Sequence, residues 1–361
     1  MPSAADQIVA VAAANGPLRF DHYMQLALYG PHGFYNSGGH AGRRGDFITS
    51  PEVGPLYGAV LAGFIAAERR RLGNPADFAV VEVGAGPGTL ARSVVAALLR
   101  ADEPPLRYIA VEISDAQRQR HPETVQSADQ LPDGPIVGVI VANELLDNLP
   151  FRLLVFDGGW REAHVDTDGE RLVEVLLPLT DAPQWLPIHA VHGARVPWQQ
   201  SATTFIQHAL AVLASGSVVV FDYCTARTAQ LATEPWRRWL RTYRGHERGD
   251  HYLMHPGSQD ITAQVALDQL PPPDAIRTQA QFLQLWGIQD LVDEGRSIWQ
   301  ASAAAPTVAA LSMRSRVREA EALLDPSGLG GFMALSWQVG AGRATHADRH
   351  RAESDDLPDE R

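Results

Sequence analysis

Cysteine is almost missing from this chain: Cys224 is the one thiol in 361 residues. A single thiol excludes an internal disulfide, and no Cys/His group has zinc spacing, so no metal ligands are expected. A reducing compartment fits, and the cytoplasm is the expected location. Long apolar runs are missing as well. Arg, Gly or Asp interrupts each of them before the roughly 20 residues that a helical membrane span requires. The N-terminus, MPSAADQIVAVAAANGPLRF, has no basic leader region and is not Arg-rich, so neither a secretory nor a mitochondrial leader is expected. Positive charge is in deficit. A formal net charge of −12 argues against a face for nucleic-acid phosphates. It is compatible with a cationic ligand or a basic protein partner. No internal repeat is visible.

What is present is ample apolar content, 45% of residues, enough for a sizeable core. Residues 1–73 read as a helical extension. Its best helix starts near Pro55 and carries Leu56, Val60, Leu61, Phe64 and Ile65 at helical spacing; Arg69, Arg70 and Arg71 complement its negative end. The pattern then changes to short β-branched runs alternating with helices: Phe78 to Val83, Leu106 to Val111, a run near Thr124, and Pro135 to Ala142. Such alternation implies a parallel sheet covered on both faces. Residues 151–178 alternate as a hairpin continued by a third strand. Gly216 to Asp222 returns to the buried-strand pattern, and Gly331 to Val339 reads as the last strand. The expected domains are therefore the extension (1–73), a Rossmann-like core (74–224 and 310–340), an inserted cap or substrate region (225–309), and a polar, disordered tail (341–361).

The sharpest local signal is Glu82-Val83-Gly84-Ala85-Gly86-Pro87-Gly88-Thr89, which follows a strand and opens a helix. Glycines admit positive φ and let a ligand approach the backbone, and the helix start offers free N–H groups. A dinucleotide fingerprint places its third glycine where this chain has Thr89. The E-x-G-x-G-x-G form instead resembles motif I of class I methyltransferases, whose loop cradles the methionyl end of S-adenosylmethionine. A tight turn without a ligand is the bland alternative. Glu112, ending the second strand, can accept both hydroxyls of a ribose, or it can cap the following helix. Asn143, Glu144 and Asp147 follow the fourth strand and emerge at the same sheet edge. Asn143 can hold the cofactor's amino-acid end or orient an acceptor, and the two acids can hold a cationic acceptor. A capped helix start explains the same spacing equally well.

Several segments occur together in an order that resembles the MidA-like methyltransferases, a family that includes the mitochondrial complex I assembly-factor arginine methyltransferase. They are Phe20 to Tyr35, Gly45 to Glu52, the glycine loop, Val111 to Ser114, Ala142 to Glu144, Phe221 to Tyr223, and Tyr243 through Ala263, roughly residues 18–340 in all. The resemblance implies a Rossmann-like class I methyltransferase core with a helical N-terminal extension and an inserted cap. It also implies S-adenosylmethionine as cofactor, a protein arginine as acceptor, and a Gly45 to Glu52 segment folded over the cleft. Gly45 and Thr49 would then touch the cofactor, and Asp46 the acceptor. The chain departs from the family pattern at Leu145, Leu146 and Asn148, at Cys224 and at Gln264, which puts the acceptor's identity in doubt.

A sulfonium methyl is already activated, so the protein's tasks are in-line placement of a nucleophile and exclusion of water. A guanidinium is cationic and poorly nucleophilic, so carboxylates must orient it and help remove a proton. Glu144 is the first candidate, followed by Asp46 and Asp147. Glu82, Gly84, Gly86, Gly88, Glu112, Asn143, Gly45 and Thr49 are the expected cofactor residues. His22, His246 and His255 read as surface or structural residues, Trp236 and Trp239 as cap core, and Cys224 as packed and inert. A small-molecule acceptor on the same fold, or a non-catalytic cofactor-binding assembly factor, are the rival readings.

Overall fold

The computed structural model describes residues 3–36, 49–169, 171–245, 247–302 and 307–340. Gly45, Asp46, His246 and the tail 341–361 lie outside the described residues.

Among the described residues the central sheet has seven strands. Their spatial order is Ala275–Thr278, Met333–Val339, Leu213–Asp222, Ile136–Asn143, Ala79–Val83, Arg107–Val111 and Gln126–Ala128. The last five run parallel to one another, whereas Met333–Val339 is antiparallel to both of its neighbours. Chain order reverses between Ala79–Val83 and Ile136–Asn143, and an open sheet of this kind offers its ligand crevice outside the carboxyl ends of the strands there.

The strand sequences explain their burial. Val80 packs to one face and Val81 to the other; Val219 faces one side while Val218 and Val220 face the other. The period of two, with both sides apolar, marks strands covered on both faces. One cover is built from Pro55–Arg71, Thr89–Arg100 and Gln279–Leu285, whose Val60, Phe64, Val94 and Phe282 join Val80 and Val219. The other is Gln200–Val212, which contributes Ala202, Ile206 and Ala209.

A second core stands beside this one. It unites Ile8, Phe20, Tyr23 and Met24 of the N-terminus with Phe151, Leu153 and Val155, and with Trp239, Tyr252 and Ile261 of the cap. Its frame is an antiparallel sheet in which Arg152–Phe156 lies between Trp160–Thr167 and Arg195–Trp198, with Leu18–Arg19 and Leu172–Pro178 pairing Trp160–Thr167.

The expected domain limits are corrected accordingly. The extension divides: residues 4–29 belong to the second core and Pro55–Arg71 to the central one. Residues 151–198, assigned to the Rossmann-like core, form the second sheet. Ala275–Thr278 and Gln279–Leu285, assigned to the cap, form the central sheet's edge and its cover. The physical reason is apolar matching, because Phe282 and Trp286 meet Phe64 edge to face. No helix among the described residues is long and apolar enough to cross a membrane.

Candidate functional site

A cavity of about 370 Å³ opens at the carboxyl ends of the central strands. The glycine loop forms its floor. Gly84, Gly86 and Gly88 all take left-handed backbone angles, with φ of 76°, 52° and 79°. The Gly84 and Ala85 N–H groups both donate to the Val111 carbonyl at 3.0 Å, which fixes the loop against the next strand. Gly84 and Gly86 line the cavity. Gly88 does not: a Cβ there would face Pro122 and His121, so this glycine serves the turn. Glu82 borders the cavity, but its carboxylate accepts from the Tyr108 hydroxyl at 2.7 Å, and burial pushes its pKa up to about 7.

Glu112 closes one end of the floor. One carboxylate oxygen accepts from the Gly86 N–H at 3.0 Å and the other from the Ser114 N–H at 2.8 Å. Glu112 thus ties the second strand's tip to the loop while bordering the cavity. His121, which sequence reasoning passed over, bridges Gly86 O and Ser127 Oγ from behind, each at 2.9 Å. Burial lowers its pKa, so it holds the loop as a neutral ring. Apolar Ile113, Leu131 and Phe205 also line the cavity, as does Asp129.

The opposite wall is acidic and aromatic. Glu144 follows the strand Ile136–Asn143 with φ 51°, a left-handed angle unusual for a residue with a side chain, and its N–H donates to Phe221 O at 2.8 Å. Its Oε1 accepts from Asn143 Nδ2 at 3.0 Å and from the Ser50 N–H at 3.3 Å. Asn143 Oδ1 in turn accepts from the Tyr57 hydroxyl at 2.8 Å. Burial and the nearby Asp147 push the Glu144 pKa up to about 8. Thr49 is buried on the cavity wall, and Glu52 accepts from Thr89 Oγ1 at 2.7 Å. The residue that breaks the dinucleotide fingerprint therefore anchors the segment from the N-terminal extension.

Asp147 is brought close but not to the wall. It lies behind the cavity, where it accepts from Thr262 Oγ1 at 2.5 Å, and its Oδ1 has no partner. Burial pushes its pKa up to about 6. Asp222 lies against it and accepts from the Leu146 and Asp147 N–H groups at 2.9 and 3.3 Å; burial and Asp147 hold Asp222 well above the usual carboxylate range. Asp260, from the cap, accepts from Asn148 and from the Tyr35 hydroxyl at 3.1 Å, and burial with Asp147 pushes it up to about 7. Tyr35 stacks on Tyr29 at 5.4 Å, and both line the cavity with Gln25 and Asn148. Among the described residues none of Glu144, Asp147, Asp222 or Asp260 has a basic ion-pair partner. Nor does any group of three or more His, Cys, Asp or Glu there have a metal-holding arrangement.

The sequence missed Tyr29, Tyr35, Asn148, Asp222 and Asp260 as a group. Tyr29 and Tyr35 stood inside the segment Phe20 to Tyr35, Asp222 inside Phe221 to Tyr223 and Asp260 inside Tyr243 through Ala263, and Asn148 was among the departures, which was the available signal. His22 and His255 do not line the cavity. Trp239 is fully buried in the second core, whereas Trp236 is half-buried beneath two guanidinium groups. Burial pushes the Cys224 thiol well above its ordinary range.

A glycine-rich loop, a strand-end carboxylate and a cavity at the switch point of a seven-stranded sheet define a Rossmann-like methyltransferase. The family described as "Putative S-adenosyl-L-methionine-dependent methyltransferase" matches residues 60–283, more than half of the chain, and the chain belongs to it. Its cofactor is S-adenosylmethionine. The chain is 27% identical to the Drosophila melanogaster "Protein arginine methyltransferase NDUFAF7 homolog, mitochondrial" over 73% of this chain and 68% of that protein. It is 26% identical to the Mus musculus "Protein arginine methyltransferase NDUFAF7, mitochondrial" over 71% and 66%. It therefore spans about two thirds of these relatives' length. A Burkholderia thailandensis protein described as a "likely methyl transferase", bound to S-adenosyl-homocysteine, superposes with a TM-score of 0.80. Identity is 28%, and the match covers 94% of this chain and 92% of that one.

Proposed function

We propose that this chain transfers a methyl group from S-adenosylmethionine to an arginine side chain of a protein. The observation that carries the acceptor is the wall holding Glu144, with Asp147 and Asp260 behind it: buried carboxylates, no basic partner among the described residues, and pKa values pushed toward neutrality. A buried acidic group lacking a counter-ion is stabilised either by a proton or by an incoming cation. The relatives named as arginine methyltransferases support the same choice.

S-adenosylmethionine supplies a sulfonium methyl that needs no further activation. Gly84 and Gly86 leave room for close backbone approach of its amino-acid end. Glu112 would accept from its ribose hydroxyls, and Ile113, Leu131, Phe205 and Asp129 would be the lining residues left for its base. Asn143 and Thr49 complete the contacts between cofactor and acceptor sides. Glu144 would accept one guanidinium N–H, orient the attacking nitrogen, and take its proton as the new N–C bond forms and the S–C bond breaks. Asp147 and Asp260 would hold the positive charge from behind. The cytoplasm stays part of the proposal. It rests on Cys224 alone, and the curated relatives above are mitochondrial proteins.

The test incubates the full chain, or its Glu144→Gln variant, with S-adenosylmethionine carrying a labelled methyl and a protein extract, and reads methylarginine by mass spectrometry. Label on arginine that drops about 100-fold or more in the variant, with S-adenosylhomocysteine affinity retained, is expected. Label found solely on small molecules would sink the arginine reading.

A further inference from the structure

We propose that Tyr57 is a positioning residue for Glu144: acting through Asn143, it holds the Glu144 carboxyl ready in its ionised form. The inference rests on the reading of Glu144 as the base. Tyr57 does not line the cavity, so it acts through what it touches.

The fold fixes where Tyr57 stands. It lies in the first turn of Pro55–Arg71, where the Leu56 N–H donates to Glu319 at 2.9 Å. Its side chain is fully buried, and its ring meets Phe221 edge to face with centres 5.6 Å apart. Phe221 is also the residue whose carbonyl accepts the Glu144 N–H. Burial, with Glu144 and Glu82 nearby, holds the Tyr57 hydroxyl well above its ordinary range, so it keeps its hydrogen.

That hydrogen decides which way the Asn143 amide faces. Among the described residues the Tyr57 hydroxyl has one hydrogen-bond partner, Asn143 Oδ1 at 2.8 Å. Asn143 Nδ2 therefore faces Glu144 Oε1, to which it donates at 3.0 Å. Turned over, the amide would offer Nδ2 to Tyr57 and leave the buried phenolic hydrogen without an acceptor, which is costly. It would also set Oδ1 against Glu144 Oε1, an arrangement that only a protonated Glu144 satisfies. With Tyr57 in place the amide donates, and a donor to a carboxylate favours the ionised form.

The surroundings of Glu144 otherwise act in the opposite sense. Burial, and then Asp147 on the same loop, push its pKa up to about 8. Asp222, at the end of the strand Leu213–Asp222, is a second acid within electrostatic reach, and Tyr57 itself faces it from the helix as a neutral phenol. The Ser50 N–H donates to the same Oε1 at 3.3 Å, and no Lys, Arg or His among the described residues pairs with it. The Asn143 amide thus opposes two acids and the loss of water, and its orientation matters.

Infrared titration of the full, ligand-free chain tests this, because it follows the stretch of protonated carboxyls. The part lost in Glu144→Gln belongs to Glu144. Its midpoint is expected to move up by about half a pH unit or more in Tyr57→Phe, which keeps the ring on Phe221. Asn143→Leu should move it up as well, and adding Tyr57→Phe to Asn143→Leu should move it no further. Tyr57→fluorotyrosine, a stronger O–H donor of nearly the same size, should move it down, and this variant carries the test should Tyr57→Phe fail to fold. A midpoint unmoved in both Tyr57 variants overturns the proposal, as does a Tyr57→Phe shift that persists beside Asn143→Leu. The titration needs no methyl acceptor, so these outcomes are independent of the arginine reading. In the methylation assay the pH profile of kcat should move up with the midpoint in Tyr57→Phe. A carboxyl that shifts while that profile stays put overturns Glu144 as the base and leaves its positioning by Tyr57 standing.

Discussion

Glu144 combines three costs in one residue: a left-handed backbone, a buried carboxyl and a neighbouring acid. Its backbone angle is held by the N–H bond to Phe221 O, and its side chain by Asn143 and Ser50. Strain maintained by so many partners marks a functional position. A base must be deprotonated to accept a proton, so turnover is expected to rise with pH through about 8 and then level. The pH profile of kcat checks this, and Glu144→Gln should flatten it while lowering the rate. Gly86 yields a second expectation. With φ 52° and Gln117 Oε1 3.2 Å from a would-be Cβ, Gly86→Val strains the loop as well as filling the cavity. S-adenosylhomocysteine affinity should fall about tenfold or more, read by calorimetry. At this scale Gly84, Gly86, Glu112, Asn143 and Glu144 were legible, because each ends or follows a strand whose pattern is local. Gly88 and Asp147 share the motif spacing, yet their positions off the cavity wall depend on neighbours the motifs do not contain.

The strands themselves meet at a point that sequence periodicity does not reveal. Gly216 and Gly138 are register partners on adjacent strands, and Gly138 pairs Ala79 on the other side. A Cβ on Gly216 would lie 1.8 Å from the Gly138 carbonyl oxygen, a backbone atom that cannot step aside. Gly216→Ala should therefore destabilise the fold by about 3 kcal/mol or more, measured by denaturant unfolding. Truncating Phe64, which packs against Phe282 and Trp286, should cost about 3 to 5 kcal/mol by loss of buried apolar contact. The helix from Pro55 to Arg71 was readable from its apolar spacing. Its partnership with Gln279–Leu285, more than 200 residues later, was not.

Across the whole molecule, the raised carboxyls link folding to pH. Glu82, Glu144 and Asp260 bind protons more tightly when folded than when unfolded. Their stabilising contribution is complete at low pH and is lost as pH climbs through about 7 to 8. His121 and His251, both lowered, act oppositely, but below their ordinary value of 6.5. The ligand-free chain should therefore melt at a higher temperature at about pH 6.5 than at about pH 8.5, as scanning calorimetry can show. A cationic occupant at the acidic wall should narrow that difference.

The parallel sheet, the glycine loop and the carboxylates at the strand ends could be read before any folding, because β-branched runs, turn glycines and strand-end positions are encoded within a few neighbouring residues. Tertiary structure alone decided how the chain divides into two cores, since Phe20, Phe151, Trp239 and Tyr252 find one another across more than 200 residues by apolar matching. It also decided the far wall of the cavity. Tyr35 of the N-terminal segment, Asn148 after the fourth strand and Asp260 of the cap form one hydrogen-bonded group, and their chemistry emerges when long-range packing removes water from all three.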